Sequence, residues 1–342
     1  LLTEIANPMD EWSGILDKAS VTERDGVYRA YHYRMFIRPY FIVNPTAAGG
    51  RAARWWTAAE PVLRRHFPDL QSTVPDSRLE VGMLLQRCLD EGVKTIVGVG
   101  GDGTHHDLIN GLVELDALDR CTYAPLPLGT GNDWCRTLAV PRHLVRWLST
   151  MEEGLTVDHR IGRLRFDSGR IRYFINVAGM GYDAEVVRRA REQKWKHRLM
   201  YPLLTAVHLP GYQPPELILT YDDSRVTGRF HTINMGIGRY NGGGMQLVPQ
   251  AHPTHDTLAL TYARALPLHR IARHSWRFFT DTIGRVKGVT ATHAESLNVE
   301  GVTGVEADGE YLGLGPVRAD LLKASLRVHC GRIVENIYGV TT

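Results

Sequence analysis

Three glycines wrapped around one carboxylate, in Gly100-Gly101-Asp102-Gly103-Thr104, end the apolar, β-prone run that begins at Lys94. A buried strand followed by such a loop turns the backbone tightly and brings its N–H groups against an anion. The residues from Thr104 to Val113 can start a helix whose positive end faces the same point, so the loop predicts a phosphate site. The letters Gly98-x-Gly100-x-x-Gly103 also satisfy the dinucleotide fingerprint. Asp102 argues against that reading, because a bare pyrophosphate would face a carboxylate. A carboxylate beside a polyphosphate makes sense when Mg2+ lies between them, the arrangement used for phosphoryl transfer.

Two further segments follow apolar strands: Asn44-Pro45-Thr46-Ala-Ala-Gly49-Gly50 after Phe41-Ile42-Val43, and Pro127-Leu128-Gly129-Thr130-Gly131-Asn132-Asp133 after Tyr123 to Leu126. With the Asp102 loop they resemble, in order and spacing, the diacylglycerol kinase catalytic domain shared by bacterial lipid kinases, sphingosine kinases and ceramide kinases. The resemblance runs from about Tyr40 to about Val328, with later matches at Gly179-Met-Gly-Tyr-Asp-Ala-Glu185, at Asn241-Gly-Gly-Gly-Met245 with Pro249, and at Asp308-Gly309-Glu310. It implies ATP and Mg2+ as cofactors and a lipid with a free hydroxyl as acceptor. The implied fold is a nucleotide-binding α/β domain followed by a β-sandwich, with the active site in the cleft between them.

The resemblance assigns Asn44, Thr46, Thr73, Gly100, Gly101, Gly103, Thr104, Gly129, Thr130, Gly131 and Asn132 to the nucleotide. Asp102 is linked to the metal and the ATP phosphates or to the acceptor hydroxyl, and Asp133 to support of metal or loop geometry. In bacterial members the glutamate of Asp-Gly-Glu is the usual candidate base, here Glu310, with the opposite division between Glu310 and Asp102 left open. Plainer readings stand beside these. Asn44-Pro45 forms an Asx-Pro turn readily, Asp102 can cap a helix, and Asp308-Gly309 is a preferred hairpin turn.

The elements that must position these residues change character near Val157. Before it, apolar strands alternate with helical stretches at Ala52 to Phe67, Arg78 to Glu91, Thr104 to Glu114 and His143 to Glu153, which predicts a mostly parallel sheet with helices on its faces. Beyond it come strands of alternating polarity: Arg163 to Phe166, Arg170 to Asn176, Leu217 to Tyr221, Phe230 to Gly236 and Thr257 to Tyr262. They predict a largely antiparallel second domain. The expected division is an N-terminal extension over 1–39, a nucleotide-binding α/β domain over 40–157 and a β-rich lipid-substrate domain over 158–328. A C-terminal segment, 329–342, is expected to return to the first domain.

Bulk properties fit this reading. A chain of 342 residues can bury two cores, and a formal charge of +3 is too small to suggest a nucleic-acid protein. Cys88, Cys121, Cys135 and Cys330 show no paired metal spacing, which predicts neither disulfide nor structural zinc and suits a reducing cytoplasm. No apolar run reaches spanning length, so the expectation is a cytoplasmic protein, at most peripheral on the inner membrane face.

Two departures from the family pattern matter. Thr104-His-His-Asp107 stands where bacterial relatives often carry Thr-x-Asn-Glu, and Thr254-His255 replaces an acidic pair that holds a structural Mg2+ in some of them, with Asp256 in the position of a glycine. No well-formed second-domain metal site is therefore expected. His105 and His106 are placed at the rim of the phosphate loop and are not expected as ligands. The basic run Arg188, Arg189, Arg191, Lys194, Lys196 and Arg198 reads either as a solvated helix face or as a dock for anionic lipid headgroups. The patch from His269 to Val286 reads as a helix packed on a core. A kinase of NAD and a noncatalytic nucleotide or lipid sensor remain as alternatives.

Overall fold

The computed structural model describes residues 38–75, 78–192 and 200–332. The expected N-terminal extension, apart from its last two residues, lies outside the described residues, as do Lys194, Lys196, Arg198 and residues 333–342.

The first half builds β1 (Pro39–Val43), α1 (Ala47–His66), β2 (Gln71–Thr73), α2 (Arg78–Asp90), β3 (Thr95–Gly100), α3 (Asp102–Glu114) and β4 (Thr122–Pro127). Strands β1 and β3 are buried along their whole length, the signature of a sheet covered on both faces. All pairings here are parallel, in the order β2-β1-β3-β4. The chain leaves β1 toward β2 on one side and returns to β3 on the other. That reversal creates a crevice at the carboxyl ends of β1 and β3, where ligands of open α/β sheets bind. Phe41 anchors the core on one face, its ring 5.5 Å from Trp56 and 6.3 Å from Trp147. Trp147 belongs to α5 (Leu144–Glu153), which follows the short α4 (Asp133–Thr137).

The second half begins with β5 (Thr156–Phe166), β6 (Ile171–Phe174) and β7 (Val177–Gly181), then α6 (Tyr182–Glu192) and α7 (Met200–His208). It continues through β8 (Glu216–Tyr221), β9 (Ser224–Gly236), β10 (Leu258–Arg264), α8 (Leu268–His274), β11 (Val289–Ala294), β12 (Ser296–Glu300), β13 (Gly304–Ala307), β14 (Glu310–Leu314) and β15 (Val317–His329). Apart from the short parallel pairing of β15 with β4, every pairing among these strands is antiparallel. Strand β9 pairs β8 through its first half and β7 and β10 through its second, so it turns the corner between two layers. Between the layers lie Phe174, Phe230, Met235, Leu260, Leu297 and Val305, all essentially solvent-free. Each such side chain contributes about 1.5–3 kcal/mol by leaving water. Strand β15 pairs β5 over nearly its full length and then joins β4 in parallel through Arg327 and Val328.

The structure differs from the sequence reading over 269–286. Instead of one helix on a core there is the short α8 followed by tight helical turns at Ser275–Phe279 and Ile283–Arg285, with Trp276 and Phe279 exposed. Basic and apolar residues alternate too quickly there for a single 3.6-residue stripe. No described helix is long and apolar enough to cross a membrane.

Candidate active site

The loops after β1, β3 and β4 meet the β13–β14 hairpin and the 241–245 loop around a cleft of about 680 Å³. Of the residues assigned to it from sequence, Asn44, Thr46, Gly101, Asp102, Gly103, Thr104, Gly129, Thr130, Gly131 and Glu310 line it. Gly100, Asn132 and Thr73 are not among the lining residues.

Each of those three has a visible local role. A Cβ on Gly100 would run into the Thr104 side chain. Asn132, buried and with φ of 52°, accepts the Gly129 N–H at 2.9 Å and donates back to the Gly129 carbonyl at 2.9 Å, which fixes the turn. Thr73 shares a hydrogen bond of 2.6 Å with the Tyr40 hydroxyl, to which Arg87 donates at 2.9 Å.

The phosphate loop and the Gly129 turn approach so closely that a Cβ on Gly101 would lie 2.9 Å from the Gly129 Cα. Only glycine allows two backbones to pass at that distance. Asn44 joins the first loop to the second, donating from Nδ2 to the Thr104 hydroxyl at 2.8 Å. Its Oδ1 accepts the Thr46 N–H at 3.0 Å and the Thr46 hydroxyl at 2.8 Å, so the Asx turn and the cleft wall are one structure. Ala48, Gly49 and Gly50 all take positive φ before regular helix begins.

Helix α3 starts at Asp102 with Gly101 at its N-cap, so Asp102 is the first helical residue and not the cap. Its Oδ1 accepts the Trp134 N–H at 3.1 Å. Asp133 stands opposite: a Cβ on Gly131 would lie 3.1 Å from Asp102 Oδ2 and 3.7 Å from Asp133 Oδ2. Burial, and then the Asp133 carboxylate, push the Asp102 carboxyl up to about 7. Two facing carboxylates that resist joint ionisation are a hard-oxygen donor set for a divalent cation. Among the described residues no group of three or more His, Cys, Asp or Glu forms a closed metal cage. Asp102 and Asp133 together fit the one or two carboxylates that Mg2+ takes when phosphate and water complete its shell.

On the far wall, Asp308 and Gly309 have φ of 50° and 82° and form the two-residue turn between β13 and β14, as the Asp-Gly pair predicts. Asp308 does more than turn the chain. Its carboxylate accepts the N–H groups of Ile175 and Asn176, each at 2.9 Å, and lies 2.8 Å from His106 Nδ1. Burial opposes charge on His106, but the bonded Asp308 outweighs it and holds the ring's pKa above the ordinary histidine value. Glu310 follows at the start of β14, with Oε1 within 3.8 Å of where a Cβ on Gly103 would stand, and its Oε2 pairs with Arg191 of α6. Behind the hairpin, burial and the Asp183 charge raise the Glu306 carboxyl well above its usual range. It accepts the Gly309 N–H at 3.0 Å. The 241–245 loop closes the third side, where the Gly243 N–H donates to Asp133 Oδ2 at 2.6 Å.

The histidines correct the sequence reading, because neither lies at a rim. His105 is fully buried beneath the loop, 2.9 Å from the Tyr123 hydroxyl, and burial lowers its pKa to about 3, so it is neutral. It belongs to a buried cluster of tilted and edge-on rings with Tyr123, Trp134 and His159. Asp133, expected from the sequence to support metal or loop geometry, lies with Asp102 beside Gly131. No local signal announces the His106–Asp308 contact, whose partners are 202 residues apart. In the second domain, Asp256 is exposed and pairs with Arg160 at 3.4 Å.

Glycine loops at the switch point of a parallel sheet, two carboxylates and a third on an opposing hairpin define a phosphotransferase cleft. Residues 38–164 match the diacylglycerol kinase catalytic domain, and residues 176–330 match the YegS C-terminal NAD kinase beta sandwich-like domain. The chain belongs to the diacylglycerol kinase catalytic-domain family and is a kinase. The diacylglycerol kinase of Mycobacterium tuberculosis (strain H37Rv) is 25% identical over 292 residues, spanning 84% of this chain and 93% of its own. That of Bacillus subtilis (strain 168) is 28% identical over 233 residues, 64% of this chain and 74% of its own. The crystal structure of a diacylglycerol kinase from Bacillus anthracis (strain Sterne) superposes with a TM-score of 0.65 at 21% identity. It covers 87% of this chain and 98% of that one, and shows the shared fold.

Proposed function

We propose that the protein transfers the γ-phosphate of Mg-ATP to a hydroxyl of diacylglycerol or a related lipid. One observation carries this reading: Glu310 faces the phosphate loop across Gly103, while Asp102 and Asp133 face each other across Gly131, all in one cleft. In the division we infer, residues 40–157 hold the nucleotide and residues 158–328 the lipid.

Backbone N–H groups of Gly101, Asp102 and Gly103, at the N-terminus of α3, receive the phosphates. Asn44, Thr46 and Thr104 fix the neighbouring wall through their mutual hydrogen bonds. Asp102 and Asp133 would hold Mg2+, which when bound neutralises phosphate charge and aligns the terminal phosphoryl group. Glu310 accepts the proton of the lipid hydroxyl as its oxygen attacks the γ-phosphorus in line. The new O–P bond forms as the bond to the bridging oxygen breaks, and ADP leaves with that electron pair. Arg191 holds Glu310 from the second domain until the acceptor hydroxyl takes its place beside the carboxylate.

The test is labelled ATP offered with a mixed lipid extract in detergent micelles and, in parallel, with NAD. The second domain's likeness to NAD kinase sandwiches is the reason for the parallel tube. Label on lipid is the expected result, and label on NAD alone would overturn the lipid assignment. ATP binding without transfer to either acceptor would turn the reading to a sensor. With the acceptor in hand, Glu310→Gln is expected to lose about 10²–10⁴ in turnover while still binding Mg-ATP. Turnover close to wild type would move the base to another residue.

A further inference from the structure

Residues 264–287 stand apart from the rest of the surface. The segment carries Arg264, Arg270, Arg273, Arg277, Arg285 and Lys287 against a single acid, Asp281, whereas the whole chain carries a net charge of only +3. Its apolar residues divide into two sets. Phe278 packs on the cluster of Val177, Met245 and Val248, and Ile283 and Val286 are buried, so the segment is pinned from below. Trp276, Phe279 and Leu268 point the other way, 55%, 54% and 43% exposed. Large apolar side chains rimmed by charge mark a docking surface, and a tryptophan among arginines is the composition that lies at a lipid–water boundary.

The basic run on α6 is a useful contrast. There Arg188 pairs with Glu185 and Glu192, Arg189 with Glu185 and Arg191 with Glu310, so the described part of that run spends its charge within the protein. Among the described residues, no ion pair engages Arg270, Arg273, Arg285 or Lys287. The Arg277 guanidinium instead lies 4.6 Å over the Trp276 ring, keeping cation and indole together at the surface.

Position matters as much as composition. The Gln246 N–H donates to the Phe278 carbonyl at 2.5 Å, which fastens the segment to the end of the 241–245 loop that closes the cleft. At its other end the Leu266 N–H donates to His231 Nδ1 at 3.0 Å, and the His231 ring packs 6.2 Å from Tyr212 just beyond α7. Helix α7, which ends four residues before Tyr212, exposes Leu203 and Val207 one turn apart.

We propose that residues 264–287 dock the protein on an anionic bilayer, with Trp276 and Phe279 entering the headgroup region and Arg270, Arg273, Arg285 and Lys287 meeting lipid phosphates. The inference rests on the lipid-kinase reading for its purpose, and its physical content is independent of catalysis. Docked in this way, the 241–245 loop and the cleft behind it are held at the surface from which an acceptor lipid is drawn.

The experiment is co-sedimentation of the 342-residue chain with vesicles of phosphatidylcholine alone or doped with phosphatidylglycerol. The expected result is salt-sensitive binding to the doped vesicles only. Arg270→Glu with Arg273→Glu lowers the partition about tenfold or more, and Trp276→Ser with Phe279→Ser lowers binding that persists in high salt. A thermal melt verifies folding, and Arg285→Glu with Lys287→Glu serves as an independent pair. Equal binding to both vesicle types, no wild-type binding, or variants that bind as wild type would each overturn the proposal. Transfer to a short-chain diacylglycerol dispersed as monomers separates the two readings, since docking variants should phosphorylate it as wild type does. Vesicle binding with no such transfer in the wild type would remove diacylglycerol as the acceptor and leave the docking surface standing.

Discussion

The two walls of the cleft are built by opposite means. The wall after β1, β3 and β4 is mostly backbone: Gly101 and Gly129 nearly touch, and Asn44 and Asn132 lock the turns by hydrogen bonds. The β13–β14 wall is mostly side chain, with Asp308 receiving two N–H groups and His106 while Glu310 reaches the cleft. Backbone N–H groups at a helix start suit a spread-out anion, whereas one carboxylate on a braced hairpin suits a single proton. Under the proposed mechanism, nucleotide binding and proton transfer should therefore fail separately.

Asp102 should give the largest effect. Asp102→Asn is expected to remove nearly all turnover yet raise the melting temperature of the metal-free protein at pH 8. The sign follows from the raised carboxyl: its ionisation costs stability as pH climbs from 3.8 to about 7 in the folded protein, and the amide has no such loss. A lower melting temperature at pH 8 would show that the carboxylate is stabilised by something other than a bound cation. Next, Gly129→Ala should weaken ATP binding at least about tenfold, because its Cβ would stand 2.6 Å from Asn132 Oδ1 and against Gly101. Gly131→Ala, with 3.1 Å to Asp102 Oδ2, should cost less. Calorimetric titration that found the two equal would break the idea that the backbone approach is what matters.

On the other wall, His106→Ala leaves the buried Asp308 with one partner fewer and should lower turnover with little change in ATP affinity. His106→Asn should recover part of the loss. The His106 pKa is raised on folding, so the stability it adds is complete below the unfolded value of 6.5 and fades as pH rises through the folded value. Chemical denaturation of wild type and His106→Asn from pH 5.5 to 9 should therefore converge at the alkaline end. A gap constant with pH would mean that the contact is neutral. The smallest effect belongs to Asp256→Ala, where losing an exposed pair with Arg160 should change stability by about 0.5 kcal/mol or less.

The backbone wall was legible in the sequence because its signals are local. A strand that ends in glycines predicts its own loop, and the three loops lie in order at the ends of successive strands. The hairpin turn at Asp308-Gly309 was legible for the same reason. What fastens it was not: His106 pairs with a residue 202 positions away, and a histidine beside a glycine loop looks like a rim residue until the second domain covers it. The patch over 269–286 misled because apolar residues of alternate destination, Phe278 inward and Phe279 outward, mimic an amphipathic stripe.

Strand β15 gives the molecule a mechanical character. It runs beside β5 through the sandwich and then enters the parallel sheet next to β4 without a loop between. Two domains joined only by a flexible linker can gape; a strand shared between two domains resists that opening. Strand pairing runs unbroken from β14, which carries Glu310, through β15 to β3, which delivers the phosphate loop, so a change in the gap between them would be felt as twist along the sheet.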